Sequence, residues 1–320
     1  MKMPVALAIW AGVCFTGALA GAWRGYAGPQ FAVALGVFAA LFGSQVLLAS
    51  EPVQAGFSKA ADALGGFLPI TPFLLYLVYA LGAGQFTWLR ASFALLYSLA
   101  PSVLLQAARG RPAGCWQDYA AVLCIWLPAE LHYVQRLFPY PAAGLSHPLW
   151  AAFALNVGIL AFLMVRRLDG VGYRVAWGPG WALTIGACFV LYAALAIPLG
   201  QAIGFITFGP APERLKLLPL TALGILLFNA WPEEFLFRGL LQNLLSKSLR
   251  SGAAGLLVTA MIFGLAHLNN GVFPNWRYAI LAALAGLAYG TAWRKTGSIF
   301  ASALVHSLVN VTWFALFRTL

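Results

Sequence analysis

The stretch Asn229-Ala230-Trp231-Pro232-Glu233-Glu234-Phe235-Leu236-Phe237-Arg238-Gly239 sets two adjacent carboxylates and an arginine inside a run that is otherwise almost wholly apolar. The apolar character continues on both sides for the length of a helix, so these groups lie at membrane depth. An ionisable side chain there costs about 2.5 to 3.5 kcal/mol on insertion scales, which makes it a functional candidate by default. Helical spacing puts Glu234 and Arg238 one turn apart on one face, where they can pair, and turns Glu233 roughly 100° away from them. Glu233 is therefore the carboxylate expected to do chemistry.

The rest of the chain fits that placement. Of 320 residues, 62% are hydrophobic and 8% charged, and the mean hydropathy is +0.84. A water-soluble domain carries about 25% charged residues to clothe its surface, so this composition is that of a polytopic membrane protein. Lipid tolerates only helices or closed barrels, and the apolar runs lack the alternation of barrel strands. The expected fold is all-α, a bundle of about eleven transmembrane helices. The net charge of +11 does not signal nucleic acid, because the 19 basic residues are scattered through short loops, as topology signals and lipid headgroup contacts are. With Met1 taken as cytoplasmic, 11 basic residues fall on the inner side (Lys2, Lys59, Arg109, Arg111, Arg166, Arg167, Arg174, Lys247, Arg250, Arg294 and Lys295) against 7 outside (Arg24, Arg90, Arg136, Arg214, Lys216, Arg277 and Arg318), and the bias favours that orientation. Cys14, Cys115, Cys124 and Cys188 are far apart and read as small hydrophobes, not as a disulfide framework or a zinc ribbon.

In order, apolar runs at 1–23, 29–50, 67–84, 91–107, 119–138 and 148–165 predict an N-terminal helical module over residues 1–175, without a motif. Runs at 181–208, 217–246, 252–268, 277–293 and 298–317 predict a core over 176–320, with a charged loop at Arg166, Arg167, Asp169 and Arg174 before it. Residues 51–62 and 210–216 read as polar loops. Ala18-Leu19-Ala20 imitates a signal-peptidase site, but among so many spans a retained first helix is expected. Glu130 and His132 lie two residues apart, on nearly opposite sides of a helix, and a structural or substrate-lining role is expected for them.

The polar residues of the core test each other by depth. Glu233 and His267 lie roughly 20 and 22 Å from the loop that joins their helices, at about 1.5 Å of rise per residue. His306 and Asn310 lie roughly 14 and 20 Å from a loop on the same membrane side, one turn apart on one face. A carboxylate, two imidazoles and an amide in a partly dry cavity suit hydrolysis of an amide bond. Glu233 can take a proton from a water that His267 orients, and His306 with Asn310 can donate to the oxyanion that develops. The same residues could form a metal site, since Glu233, His267 and His306 are a familiar zinc set, although no local His-Glu-x-x-His motif occurs. Water activation without a metal is the preferred reading.

Glu233-Glu234-x-x-x-Arg238, Phe263-x-x-x-His267 and His306-x-x-x-Asn310, in that order within apolar helices, resemble the three motifs of the CAAX prenyl protease and bacteriocin-processing family. This is the Abi or CPBP group of glutamate-dependent intramembrane endopeptidases, and the resemblance spans 217–317. It implies that Glu233 activates the water, that His267 assists, and that His306 and Asn310 form the oxyanion hole. It leaves zinc open. It also implies a membrane-anchored or lipidated protein or peptide substrate, contact with membrane lipids, and a multi-pass location, expected to be a bacterial plasma membrane. The alternatives are an immunity or scaffold protein without turnover, and a proton-coupled transporter, which would need corresponding broken helices in two halves.

Overall fold

The computed structural model describes residues 1, 3–63, 67–142 and 144–319. Lys2, which enters the topology bias, lies outside the described residues. The chain forms two compact units, Met1–Asp169 and Gly170–Leu320. Residues 171–174 are tied into the second unit: Val171 O accepts from Trp293 Nε1 at 3.2 Å and Gly172 O from Ile299 N at 3.0 Å.

The architecture is all-α. Among the described residues, six helices are long and apolar enough to cross a membrane: Met3–Trp23, Gly28–Leu47, Trp88–Ala107, Ser146–Val165, Trp181–Ala202 and Ile299–Leu316. Leu68–Gly82 and Gly252–Leu265 are shorter apolar helices. The three other runs read as spans are also helical. Trp116–Glu130 is short, residues 218–248 carry the buried charges, and Trp276–Thr296 holds Arg277, Arg294 and Lys295.

In the first unit Tyr76, Phe138 and Phe153 pack as edge-to-face and tilted rings with centroids 5.3 to 6.4 Å apart. Asp118 is fully buried, and Arg166 Nε donates to its Oδ1 at 2.6 Å. Burial alone would push this carboxyl up, but Arg166 and the Gly114 N–H outweigh it and hold Asp118 below the usual carboxylate range. Two local expectations are corrected here. Residues 51–62 belong to the helix Glu51–Ala63, which starts on an acidic residue followed by Pro52, a favourable helix opening. The fifth run does not stay helical to 138, because the chain leaves the helix after Glu130 and His132 adopts φ +60°.

In the second unit the helix Trp181–Ala202 runs through Pro198 and ends before Gly204, whose φ of +63° turns the chain. It therefore stops short of the expected 208. Ile206–Phe208 instead pairs antiparallel with Phe317–Thr319, with Thr207 opposite Arg318. Residues 210–216 are likewise not all loop, since Pro212–Lys216 is a short helix with proline in its first turn.

Residues 218–248 form one continuous helix of changing pitch. It is α-helical over Leu218–Ile225, Trp231–Glu234 and Asn243–Ser248, and π-helical over Leu226–Ala230 and Phe235–Gln242. Pro232 has no N–H to give to the carbonyl of Phe228, and its ring crowds that carbonyl, which accounts for widening on the N-terminal side. π-helical turns are rare and occur mostly at functional sites. Gly252–Leu265 and Trp276–Thr296 pack closely through small residues. A Cβ on Gly264 would meet Ala279 O at 2.6 Å, and one on Gly286 would meet Ala260 Cα at 2.9 Å.

Candidate active site

The site grows from Glu234 and Arg238, both fully buried. Arg238 Nη1 donates to Glu234 Oε1 at 3.0 Å, as the four-residue spacing predicts. Arg238 Nη2 donates to Gly286 O at 3.2 Å, and one turn on Gln242 Nε2 donates to Gly290 O at 3.2 Å. The guanidinium also faces the rings of Phe263 and Tyr289, at 4.5 and 5.2 Å from their centroids. A cation buried this deeply needs such partners, because desolvation of an uncompensated charge costs several kcal/mol.

Glu234 does more than pair with arginine. Its Oε1 also accepts from His306 Nδ1 at 2.9 Å, and its Oε2 is contacted by Ser302 Oγ. Ser302 Oγ lies 2.9 Å from the carbonyl oxygen of Tyr289, and the Tyr289 ring stacks on His306 with centroids 4.5 Å apart. The imidazole of His306 is thus fixed in its plane by the stack and about its axis by the carboxylate. Its other nitrogen, Nε2, points to Glu233 Oε2 at 4.0 Å. In a neutral ring whose Nδ1 donates, Nε2 carries the lone pair.

His267 is held by a different device. The helix Gly252–Leu265 ends before it, so His267 stands in the following turn and not within the helix as expected. Its N–H goes to Gly264 O at 3.0 Å, and its Nδ1 donates to Phe263 O at 2.7 Å, supplying the helix end with the bond that the backbone no longer makes. Here too Nε2 is left with the lone pair when the ring is neutral.

Glu233, His267, His306 and Asn310 all line one cavity of about 830 Å³, and Glu233 keeps 38% of its side chain exposed. Glu234 and Arg238 do not line it. The motif reading passes over Asn229 and Tyr289, which line the same cavity, and Ser302. Ser302 lies four residues before His306 and Asn229 four before Glu233, so the one-turn periodicity that pairs His306 with Asn310 could have found both. Tyr289 carries no such signal. Among the described residues, no three His, Cys, Asp or Glu side chains are placed to hold one metal ion.

Residues 215–312 match a family model described as type II CAAX prenyl endopeptidase Rce1-like. The matched segment contains Glu233, Glu234, Arg238, His267, His306 and Asn310. No curated protein and no solved structure matches the chain.

Proposed function

We propose, on the premise that residues 215–312 belong with the CAAX prenyl endopeptidases, that Glu233 activates a water for hydrolysis of a peptide bond near a membrane-associated segment of another protein. That family carries a protease kind of function and a prenylated or otherwise membrane-associated substrate, and the apolar helices make the chain an integral membrane protein. A bacterial plasma membrane is the proposed location. The observation that carries the reading is the convergence of Glu233, His267, His306 and Asn310 on one cavity.

The donors and acceptors divide the work. Glu233 Oε2 and His306 Nε2 are 4.0 Å apart, too far for a direct hydrogen bond and close enough for one water to touch both. Glu233 takes the proton of that water, and His267 Nε2 offers a second acceptor to orient it. Asn310 supplies an amide donor to the developing oxyanion whatever the state of the rings, and His306 Nε2 becomes a donor once its ring carries a second proton. Glu234, with Arg238 and Ser302 behind it, positions His306. The zinc alternative would draw on Glu233, His267 and His306, and no step here is routed through a metal.

The test compares membrane-protein termini in cells carrying the parent chain and cells carrying Glu233→Gln, at equal abundance in the membrane. New termini should appear only with the parent, and His267→Ala should remove nearly all of them. Identical termini in the parent and Glu233→Gln cells would move the reading to a scaffold or immunity protein.

A further inference from the structure

The two imidazoles leave the site short of a donor. His267 Nδ1 is committed to Phe263 O at 2.7 Å and His306 Nδ1 to Glu234 Oε1 at 2.9 Å, so each neutral ring presents only a lone pair at Nε2. Asn310 then stands alone against an oxyanion that has lone pairs for at least two donors. The packing of two helices supplies a second. Residues 218–248 and the helix Ile299–Leu316 run antiparallel. A Cβ on Gly239 would meet Ile299 Cγ2 at 3.3 Å, Glu234 reaches Ser302 and His306, and Glu233 lies 4.0 Å from His306. As the first helix is followed back from Gly239 to Glu233, its partners thus advance from Ile299 to His306. One further turn in the same sense leads back to Asn229 and forward to Asn310. The segment Leu226–Ala230, which carries Asn229, packs on Ile299–Leu316, and both asparagines line the cavity. Glu233 and His306 form one level of the cavity wall, and the two amides form the next. Among the described residues, neither of these side-chain amides has a hydrogen-bond partner. Asn156, in the other unit, instead spends its amide on Leu41 O and Ala152 O at 2.9 and 2.7 Å.

We propose that Asn229 is a second donor of the oxyanion hole, so that Asn229 Nδ2 and Asn310 Nδ2 hold the oxyanion between them. The proposal rests on the peptidase reading of Glu233. Glu233 removes a proton from the water beside His306, the water oxygen bonds to the carbonyl carbon, and the carbonyl π pair moves to its oxygen, to which both amides donate. When that pair returns, the C–N bond breaks and the leaving nitrogen takes the proton from Glu233. The hole is complete with both rings neutral. It also gives a use to the π-helical turn Leu226–Ala230, since such turns occur mostly at functional sites.

The full chain in nanodiscs is given a pool of lipidated peptides of mixed sequence, each with a fluorophore and a quencher. Asn229→Leu fills a similar space without a donor. It should lower kcat about 10²- to 10³-fold and leave the apparent KM within about two-fold of the parent, because the bond is made only to the oxyanion. Asn229→Asp should be at least as slow, since a carboxylate opposes the negative oxygen, and the SDS midpoint of both variants should stay near that of the parent. A kcat for Asn229→Leu within about three-fold of the parent, or a loss of rate that follows a loss of stability in both variants, overturns the assignment and leaves the peptidase standing. A pool cleaved by neither the parent nor Glu233→Gln removes the peptidase and the assignment together. The pairing is tested apart from cleavage. With Cys14, Cys115, Cys124 and Cys188 each changed to alanine, Asn229→Cys with Asn310→Cys should be joined by a short bis-thiosulfonate reagent, read by mass spectrometry of the linked peptides. Failure to join them overturns the pairing whether or not the chain cleaves peptides.

Discussion

Arg238→Met is the substitution that most directly separates structural from chemical roles in this site. Methionine keeps much of the stem and its packing against Phe263 and Tyr289, but removes a guanidinium that is wholly buried. Glu234 then keeps His306 Nδ1 and Ser302 Oγ and loses the one permanent countercharge that pairs with it among the described residues. Removing one partner of a buried pair costs about 3 to 5 kcal/mol, mostly because the remaining charge is stranded. If that is the cause, Arg238→Met with Glu234→Gln should be more stable than Arg238→Met alone, recovering roughly half of the loss, since no charge is left uncompensated. The cleavage rate should not recover with it, because no carboxylate then holds His306. Stability is read as the midpoint of an SDS titration followed by circular dichroism, and rate by appearance of the cleaved terminus. An Arg238→Met protein as stable as its parent, or a double variant no more stable than the single one, would refute the stranded-charge argument.

Other consequences are measurable too. Asp118 has its carboxyl held below the ordinary value, so the stability it lends through Arg166 is complete above about pH 4 and lost as pH falls through the lower folded value. A thermal midpoint followed from pH 7 to 3 should therefore drop at the acid end, and Asp118→Asn should begin lower and drop less. Gly286→Val places a side chain where even a Cβ would sit 2.9 Å from Ala260 Cα, and should cost about 1 to 3 kcal/mol in the same titration together with a slower cleavage rate. Cleavage should continue at its initial rate in excess zinc chelator; loss of activity with restoration by zinc would reinstate the metal reading of Glu233, His267 and His306.

The helical bundle and the Glu234–Arg238 pair were legible in the sequence because both depend on short periods: apolar runs of membrane length, and charges one turn apart. The same holds for His306 with Asn310. What could not be read needs a long-range register. Nothing near Glu234 in sequence indicates that His306 and Ser302, about seventy residues on, complete its hydrogen bonds. The end of the helix before His267 is hidden because the ring itself makes the terminating bond, so no glycine or proline announces it. The strand Ile206–Phe208 looks like the tail of an apolar span, and only its pairing with Phe317–Thr319 gives it another form. The helix Glu51–Ala63 is too polar for a hydropathy reading to separate from a loop.

The two bonds from Arg238 and Gln242 to Gly286 and Gly290 act as rungs one turn apart between residues 218–248 and the helix Trp276–Thr296. Sliding one helix along the other by a full turn, about 5.4 Å, would be needed to find an equivalent register, and Gly290 is the position where a Cβ would run into the Gln242 side chain. A bilayer that thickens or thins is thus met by the pair tilting together, since neither helix can be drawn out past the other. The spacing between Glu233 and the residues carried by its neighbours is insulated from the lipid, and cleavage measured in bilayers of different acyl length should vary with substrate presentation more than with the integrity of the site.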